Sequence, residues 1–387
     1  MQLQGLKTLK IMARRVGPED AELLTPLASS AASCAAQQQL RTELARALGP
    51  LACQTAAGVS SEAAAFLLEL ARDSDFEVAG AAFGSLADVG GCPALGGLHG
   101  ELVSALLEIL EIGLSEDADA VVDASVTLTP YVESMSGGFG EADRASELLA
   151  RALSVTPRAL KPLTAIAASF RESVLPFVWT IADAIMANMA EGASDEGFSC
   201  AAEAFPSLMS SGFDAELASL APQFVELASL GLAGSRGAIA LKAGSAALLE
   251  LRLAGVGVSA AVLPDALTAM AAQFVTLEDE ADLAPCALAF LDFAAALLGE
   301  CSDAAPAAIA LSSSVCEAFQ ASDIDVAMRV LCVLQALAAL SPALPSLAVQ
   351  ESPAIAKTLR KMRAFNPAFA REIMELAIEL EPGDGSP

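Results

Sequence analysis

Residues able to do chemistry are few, and their spacing excludes most of what they could do. His99, in the run GGLHGE, is the only imidazole in 387 residues. A lone histidine rules out paired-histidine zinc sites and any two-histidine proton relay, and beside glycines it reads as a solvated turn residue. Asp117, Asp119 and Asp123 have the look of calcium ligands. The sixth position of such a loop would be Val122, where a glycine is needed for the sharp turn, and no bidentate glutamate follows in register. These three aspartates read instead as the charged first turn of a helix.

Other chemistry fails in the same way. Gly231, Gly234 and Gly237 give a glycine-rich stretch, but it joins two helical patterns where a phosphate loop must follow a strand. No Gly-Lys-Ser/Thr and no Gly-x-Ser-x-Gly occurs. The eight cysteines (34, 53, 92, 200, 286, 301, 316 and 332) stand singly inside helical patterns without a Cys-x-x-Cys pair. That is the distribution of buried thiols in a reducing compartment, and it argues for neither a zinc site nor a disulfide framework. No catalytic, metal-binding or cofactor-binding residue is expected, and an enzyme would have to work with carboxylates alone.

Charge points to a different activity. The net charge is −27 and the pI about 4.2. Binding to nucleic acid through its phosphates is excluded by the lack of a concentrated basic footprint. A basic protein partner fits the field of such a surface. Between residues 172 and 351 there are 4 basic and 22 acidic residues. Positive charge gathers near the ends, at Lys7, Lys10, Arg14 and Arg15, and at Lys357, Arg360, Lys361, Arg363 and Arg371.

The elements that must carry these charges are helices. Hydrophobic residues make up 55% of the chain and aromatics only 5%, a mixture of Ala, Leu and Val that suits close-packed helices better than a sandwich or barrel. In residues 62–90, Phe66, Leu67 and Leu70 form one apolar stripe. Ser74-Asp75 then breaks the pattern, and a second helix carries Val78, Ala82, Phe83 and Leu86 on one face, with Ala79, Gly80, Ala81 and Gly84 small enough to admit a neighbour. Openers at Glu19, Glu62, Glu101, Glu141, Glu172, Asp214, Ala260 and Asp303 recur at intervals of 31 to 46 residues. Six of the seven intervals fall in or beside a helical-repeat period of about 40–47 residues.

The Ser-acid pair also repeats, as Ser61-Glu62, Ser74-Asp75, Ser115-Glu116, Ser194-Asp195, Ser302-Asp303 and Ser322-Asp323. Each is read as a helix start. First helices are expected at 21–35, 62–72, 101–114, 141–154, 173–190, 214–230, 260–277 and 303–319. Second helices are expected at 38–53, 75–89, 117–132, 195–209, 236–253, 280–298 and 323–340. Glycine-rich connectors are expected at 90–100, 137–140 and 231–237, and Pro157 and Pro162 mark a kinked or degenerate unit. Trp179 falls at helical spacing with Leu175 and Val178 and is assigned to the core.

The apolar helix, acidic turn and Val-x-x-Ala-Ala-x-x-x-Leu helix (Val78, Ala81, Ala82, Leu86) resemble the HEAT repeat of the HEAT/armadillo superfamily. The position after Val78, often arginine in that family, is Ala79 here, which removes a usual contact between repeats. The resemblance implies an all-α fold, a right-handed α-solenoid of about eight helical hairpins running as a single array over 1–387. Residues 1–18 form a partial or capping helix, or alternatively an organelle transit peptide. Residues 354–380 form a basic capping helix and 381–387 a disordered tail. Residues 330–350 lack charge for 21 positions, yet Pro342 and Pro345 divide them, so no membrane span is expected.

Function follows as an expectation. Aligned by the repeat, Glu62, Asp75, Glu116, Asp117, Asp195 and Asp303 form an acidic ladder that binds a basic or helical protein segment, in a non-enzymatic scaffold or adaptor of the cytoplasm or nucleus. The acidity, the Ala/Leu-rich units and Leu175-Pro176-Phe177-Val178 also resemble importin-β-type nuclear transport receptors, which are much longer. That resemblance implies basic cargo.

Overall fold

The computed structural model describes residues 38–53, 57–92, 96–134, 139–233, 237–258, 262–274, 280–319, 324–365, 367–376 and 378. Expectations for residues 1–37, 135–138, 234–236, 320–323 and 379–387 lie outside them. Among the described residues every regular element is helical. The chain divides into two compact units, one from the described residues of Met1–Ile185 and Ser207–Glu216, the other from those of Met186–Pro206 and Leu217–Pro387.

In the first unit the helices are α1 (Gln38–Ala52), α2 (Ala57–Leu70), α3 (Phe76–Gly90), α4 (Gly96–Glu116), α5 (Ala118–Ser134), α6 (Ala142–Ala152), α7 (Leu160–Ser169) and the short α8 (Arg171–Val174). Two layers result. α1, α3, α5 and α7 pack in succession, and α2, α4 and α6 do the same beside them. The predicted faces are the buried ones: Leu67, Leu70, Val78, Ala82, Phe83 and Leu86 are all out of solvent, while Phe66 is half-buried.

Contact within the α1–α3–α5 layer is close because side chains are missing where backbones meet. A methyl on Gly49 of α1 would come within 2.7 Å of the Ser85 carbonyl of α3. One on Gly90 would sit 2.6 Å from the ring of Tyr131 on α5. At that separation buried side chains on one helix bond to the backbone of the next. Ser85 Oγ donates to the Ala45 carbonyl (2.7 Å), Thr127 Oγ1 to Phe83 (3.3 Å) and the Tyr131 hydroxyl to Leu86 (2.7 Å), across 40, 44 and 45 residues of chain.

Starts and breaks differ from the expectation in particular places. α2 begins at Ala57, so Glu62 and its partner Ser61 lie inside the helix and open nothing. α4 begins at Gly96, so half of the expected 90–100 connector is helical and Glu101 is internal. Ser115-Glu116 closes α4; the next start is capped by Asp117. The doubtful segment at 150–170 folds as a 3-10 turn, Pro157–Ala159, leading into α7. The expected 173–190 helix is interrupted by a second such turn, Leu175–Phe177, at Pro176. It resumes as α9 (Val178–Met189).

α10 (Asp195–Leu208) runs into a π-helical stretch, Met209–Phe213, where Gly212 takes φ +89°, and then the short α11 (Asp214–Leu217). The expected 214–230 helix therefore breaks after Leu217. Within the first unit, Arg171 holds the stretch from Gly212 to Glu216. Its Nε donates to the Gly212 carbonyl, it pairs with Glu216 at 2.6 Å, and its guanidinium lies 4.8 Å over the Phe213 ring.

The second unit continues with α12 (Ala221–Ala233), α13 (Ala238–Leu253), α14 (Val262–Phe274), α15 (Glu280–Glu300), α16 (Ala305–Phe319), α17 (Ile324–Leu340), α18 (Leu344–Glu351), α19 (Pro353–Phe365) and α20 (Pro367–Glu375). α13, α15 and α17 pack in one series; α12, α14, α16 and α19 pack in the other. The basic 354–380 helix is two helices, parted ahead of Pro367. Buried Phe198 of α10 fits between Gly231 and Gly244, either of which would strike the ring with a methyl. No helix among the described residues is long and apolar enough to cross a membrane; the 330–350 run is split at Ser341.

Phe83→Ala removes a ring from between neighbouring hairpins and should destabilise the first unit by about 3–5 kcal/mol. Because repeats couple to their neighbours, chemical denaturation followed by hydrogen exchange should show α1–α5 opening first. Unchanged protection in those helices would place the ring outside the core.

Candidate functional site

The acidic ladder resolves into one repeated device and several separate groups. Asp75 caps α3 with its Oδ1 accepting from the backbone of Glu77 (3.0 Å) and Val78 (3.4 Å). Asp117 caps α5 in the same way, accepting from Asp119 (3.0 Å) and Ala120 (3.3 Å). Helix starts prefer such residues because four N–H groups there lack partners and the positive end of the dipole favours a carboxylate. At the next start of that layer the capping oxygen belongs to Thr156, which accepts from Arg158. The acid is not repeated there.

Because α3 and α5 pack side by side, these two starts flank one groove of about 350 Å³, closed on its other side by the ends of α2 and α4. Ala79, Phe83, Ile109 and Gly113 line it together with Asp73, Glu116, Asp117, Asp119 and Asp123, and Arg72 is the one cation among the described residues of the lining. Phe76, the first residue of α3, is 77% exposed on its rim, and Ile112 of α4 is 57% exposed. Asp73 is already neutralised by Arg41 at 2.8 Å, and Arg72 leans to Glu108 at 3.7 Å. Asp123 is half-buried, and its carboxyl is held above the usual range by desolvation first and then by Asp119 and Asp117, with Arg158 opposing.

The remaining ladder residues lie elsewhere. Glu62 is within α2; Asp195 and Asp303 belong to the second unit. Asp195 opens α10, where Ser194 Oγ accepts from Gly197, as a serine cap with an acid behind it should. Its own Oδ2 accepts from the Gly237 amide (2.6 Å) ahead of α13, 42 residues on. Asp303 is exposed in a 3-10 turn before α16 and makes no capping bond.

Two single residues correct the sequence reading. Trp179 is 55% exposed on α9 and is not a core residue. His99 is in the first turn of α4 and only 1% exposed, where a solvated loop was expected. Its ring stands edge-on to Tyr131, 5.2 Å between centroids. Ser134 Oγ lies 2.9 Å from His99 Nδ1 and 2.9 Å from the Tyr131 carbonyl oxygen. Burial lowers the His99 pKa, opposed by the Val89 carbonyl. The histidine is structural.

Cysteines far apart in sequence meet at the ends of α1 and α3. Cys92 Sγ donates to the Cys53 carbonyl (3.8 Å) and Cys53 Sγ to Asp88 (3.5 Å). Burial, then the neighbouring Cys92, pushes the Cys53 thiol up to about 12. A thiol so rarely ionised is a poor nucleophile. Among the described residues no group of three or more metal-ligating side chains is gathered.

Comparison with known proteins bears on the fold. Yeast importin-β superposes with a TM-score of 0.52 at 12% identity, over 92% of this chain and 52% of that one. The chain has a HEAT/ARM-like α-solenoid fold. It spans about half the length of that importin-β. An engineered protein of known structure is 14% identical over 97% of this chain and 94% of its own, with a TM-score of 0.45. No protein-family model and no curated protein matches the sequence.

Two shifted groups of the first unit, His99 and Asp123, give opposite pH effects. His99, with its folded pKa lowered, contributes stability that is complete above its ordinary 6.5 and is lost as pH falls through the folded value. Asp123, raised, favours the fold below its ordinary 3.8 and ceases to do so as pH rises through its folded value. Thermal melts should therefore show Asp123→Asn more stable than the parent at pH 7, by no more than about 1 kcal/mol for so solvated a group, and equal to it below pH ~3.5. His99→Gln should abolish the loss of melting temperature between pH 7 and 5. A parent whose stability is flat over that range would remove His99 from the account.

Proposed function

We propose that the chain is a non-enzymatic protein-binding scaffold whose acidic helix starts take a basic or helical segment of a partner. The observation that carries this reading is the α2–α5 groove. Among the described residues no cation pairs with Glu116, Asp117 or Asp119, although they stand beside exposed Phe76 and Ile112. Charge left unmatched on a concave surface focuses a field that steers an oppositely charged segment. The α-solenoid fold supports the reading, since stacked hairpins offer extended surfaces for binding. A single array over the whole chain is the arrangement proposed to present that surface.

A second reading is that of an importin-β-like transport receptor moving basic cargo between cytoplasm and nucleus. It rests on the likeness to yeast importin-β over most of this chain.

Basic peptides titrated against the protein, followed by fluorescence anisotropy, test the scaffold reading. Affinity should fall steadily as ionic strength rises past the regime in which the screening length is about 8–10 Å. Reversal of Glu116 and Asp119 to Lys is the informative variant because neither caps a helix, whereas reversing Asp75 or Asp117 also removes a cap worth about 1 kcal/mol. Association should slow while the melting temperature holds. Binding indifferent to both salt and reversal would refute the electrostatic reading and leave apolar docking in its place.

A further inference from the structure

We propose, resting on the scaffold reading, that the α2–α5 groove is a two-part subsite for a helical protein segment presenting an arginine or lysine one turn away from a large apolar side chain. The cation enters among Glu116, Asp117, Asp119 and Asp123, and the apolar group covers Phe76 and Ile112.

Acidic residues alone would not make this a site. The second observation is Phe76, placed directly after the Asp75 cap with 77% of its surface in water. An aromatic ring so exposed contributes little to the free chain, while its burial against a partner is favourable. Ile112, 57% exposed, borders the same hollow from α4. The third observation is the recess itself. At about 350 Å³ it is at the small end of ligand-sized cavities, right for one or two side chains and too small for a folded surface.

Charge selects the occupant. Asp73 is held by Arg41, and Arg72 is drawn to Glu108, so neither supplies the missing counter-charge. Asp117 uses only Oδ1 for its cap and is exposed. Asp123 has Asp119 and Asp117 beside it with Arg158 opposing them, and an arriving cation adds to what Arg158 supplies. An anionic segment is repelled, and a purely apolar one would desolvate carboxylates without pairing them, which is unfavourable. A guanidinium or ammonium beside an apolar group meets both halves. The spacing of one turn follows from i, i+4 side chains sharing a helix face.

The test uses the full chain and three synthetic helical peptides in calorimetric titration: one with Arg and Leu at i and i+4, one with Arg replaced by Gln, and one with Leu replaced by Ala. Glu116→Gln with Asp119→Asn should weaken the first peptide about tenfold or more and leave the Gln peptide unchanged, the coupling a double-mutant cycle demands. Phe76→Ala should weaken the first peptide by about fivefold to tenfold and the Ala peptide hardly at all. Phe76 is exposed, so equal melting temperatures are expected for all variants. Asp303→Asn, in the second unit, serves as the control. If Asp303→Asn weakens binding as much as the groove variants, the surface is diffusely acidic; the groove proposal falls and the scaffold reading stands. If no Arg-bearing peptide binds the parent protein, both fall. Tight binding of Ca²⁺ or Mg²⁺ that excludes the peptide would also overturn the subsite, by making it a metal site.

Discussion

The structure depends on how closely one layer of helices can approach. α1, α3 and α5 come near enough for a serine, a threonine and a tyrosine to bond the carbonyls of the preceding helix, about one repeat back in sequence. Each such bond is worth only about 1 kcal/mol net, yet leaving a buried hydroxyl unmade costs more than making it gains. The bonds therefore act chiefly on register: a helix displaced by one residue strands three buried polar groups. The approach is possible only where Cβ atoms are absent, at Gly49 and Gly90. In the second unit the same economy uses a ring, with Phe198 filling the space left by Gly231 and Gly244.

Register in turn decides where charge is displayed. Two helices locked side by side bring their first turns side by side, and each first turn needs an oxygen to satisfy its free N–H groups. Asp75 and Asp117 meet that need with the same pair of bonds. The acid at the groove is thus first a consequence of helix capping. Thr156 shows that the need can be met without charge. Where an aspartate is used, the fold receives a cap and the surface receives a negative group.

The repeating helices were legible because two signals, apolar periodicity and capping residues, agreed over most of the chain. They failed where a helix starts without a polar cap. α2 opens at Ala57 and α4 at Gly96, and tertiary contacts outweigh the poor propensity of those glycines. Glu62 and Glu101 fall inside helices for that reason. Pro176 interrupts a helix whose apolar pattern continues through it, and the helix expected at 214–230 parts after Leu217. His99 and Trp179 were exchanged in burial, since periodicity marks a face without saying whether a neighbour covers it. The missing arginine after Val78 was legible as an absence. Its substitute, Ser85 reaching Ala45, was not, because a hydroxyl in a helix carries no long-range signature.

The groove combines parts that sequence reading kept separate. Asp117, Asp119 and Asp123 read in the sequence as the charged first turn of a helix, which two of them are; Asp123, one turn further on, is half-buried, with its Oδ2 in ordinary contact distance of the Gly80 position. Phe76 carried the only local hint, a large aromatic directly after a cap, where the side chain lies over the preceding turn and has no helix to pack on. The carboxylates that hold the helix starts and the ring that those starts leave uncovered are therefore products of one geometric fact, the alignment of α3 with α5. A capping carboxylate stays charged while one oxygen serves the backbone, so the groove keeps its charge while the fold keeps its caps. Glu116 and Asp119 cap nothing, and for that reason they are the residues through which the proposed binding separates from stability.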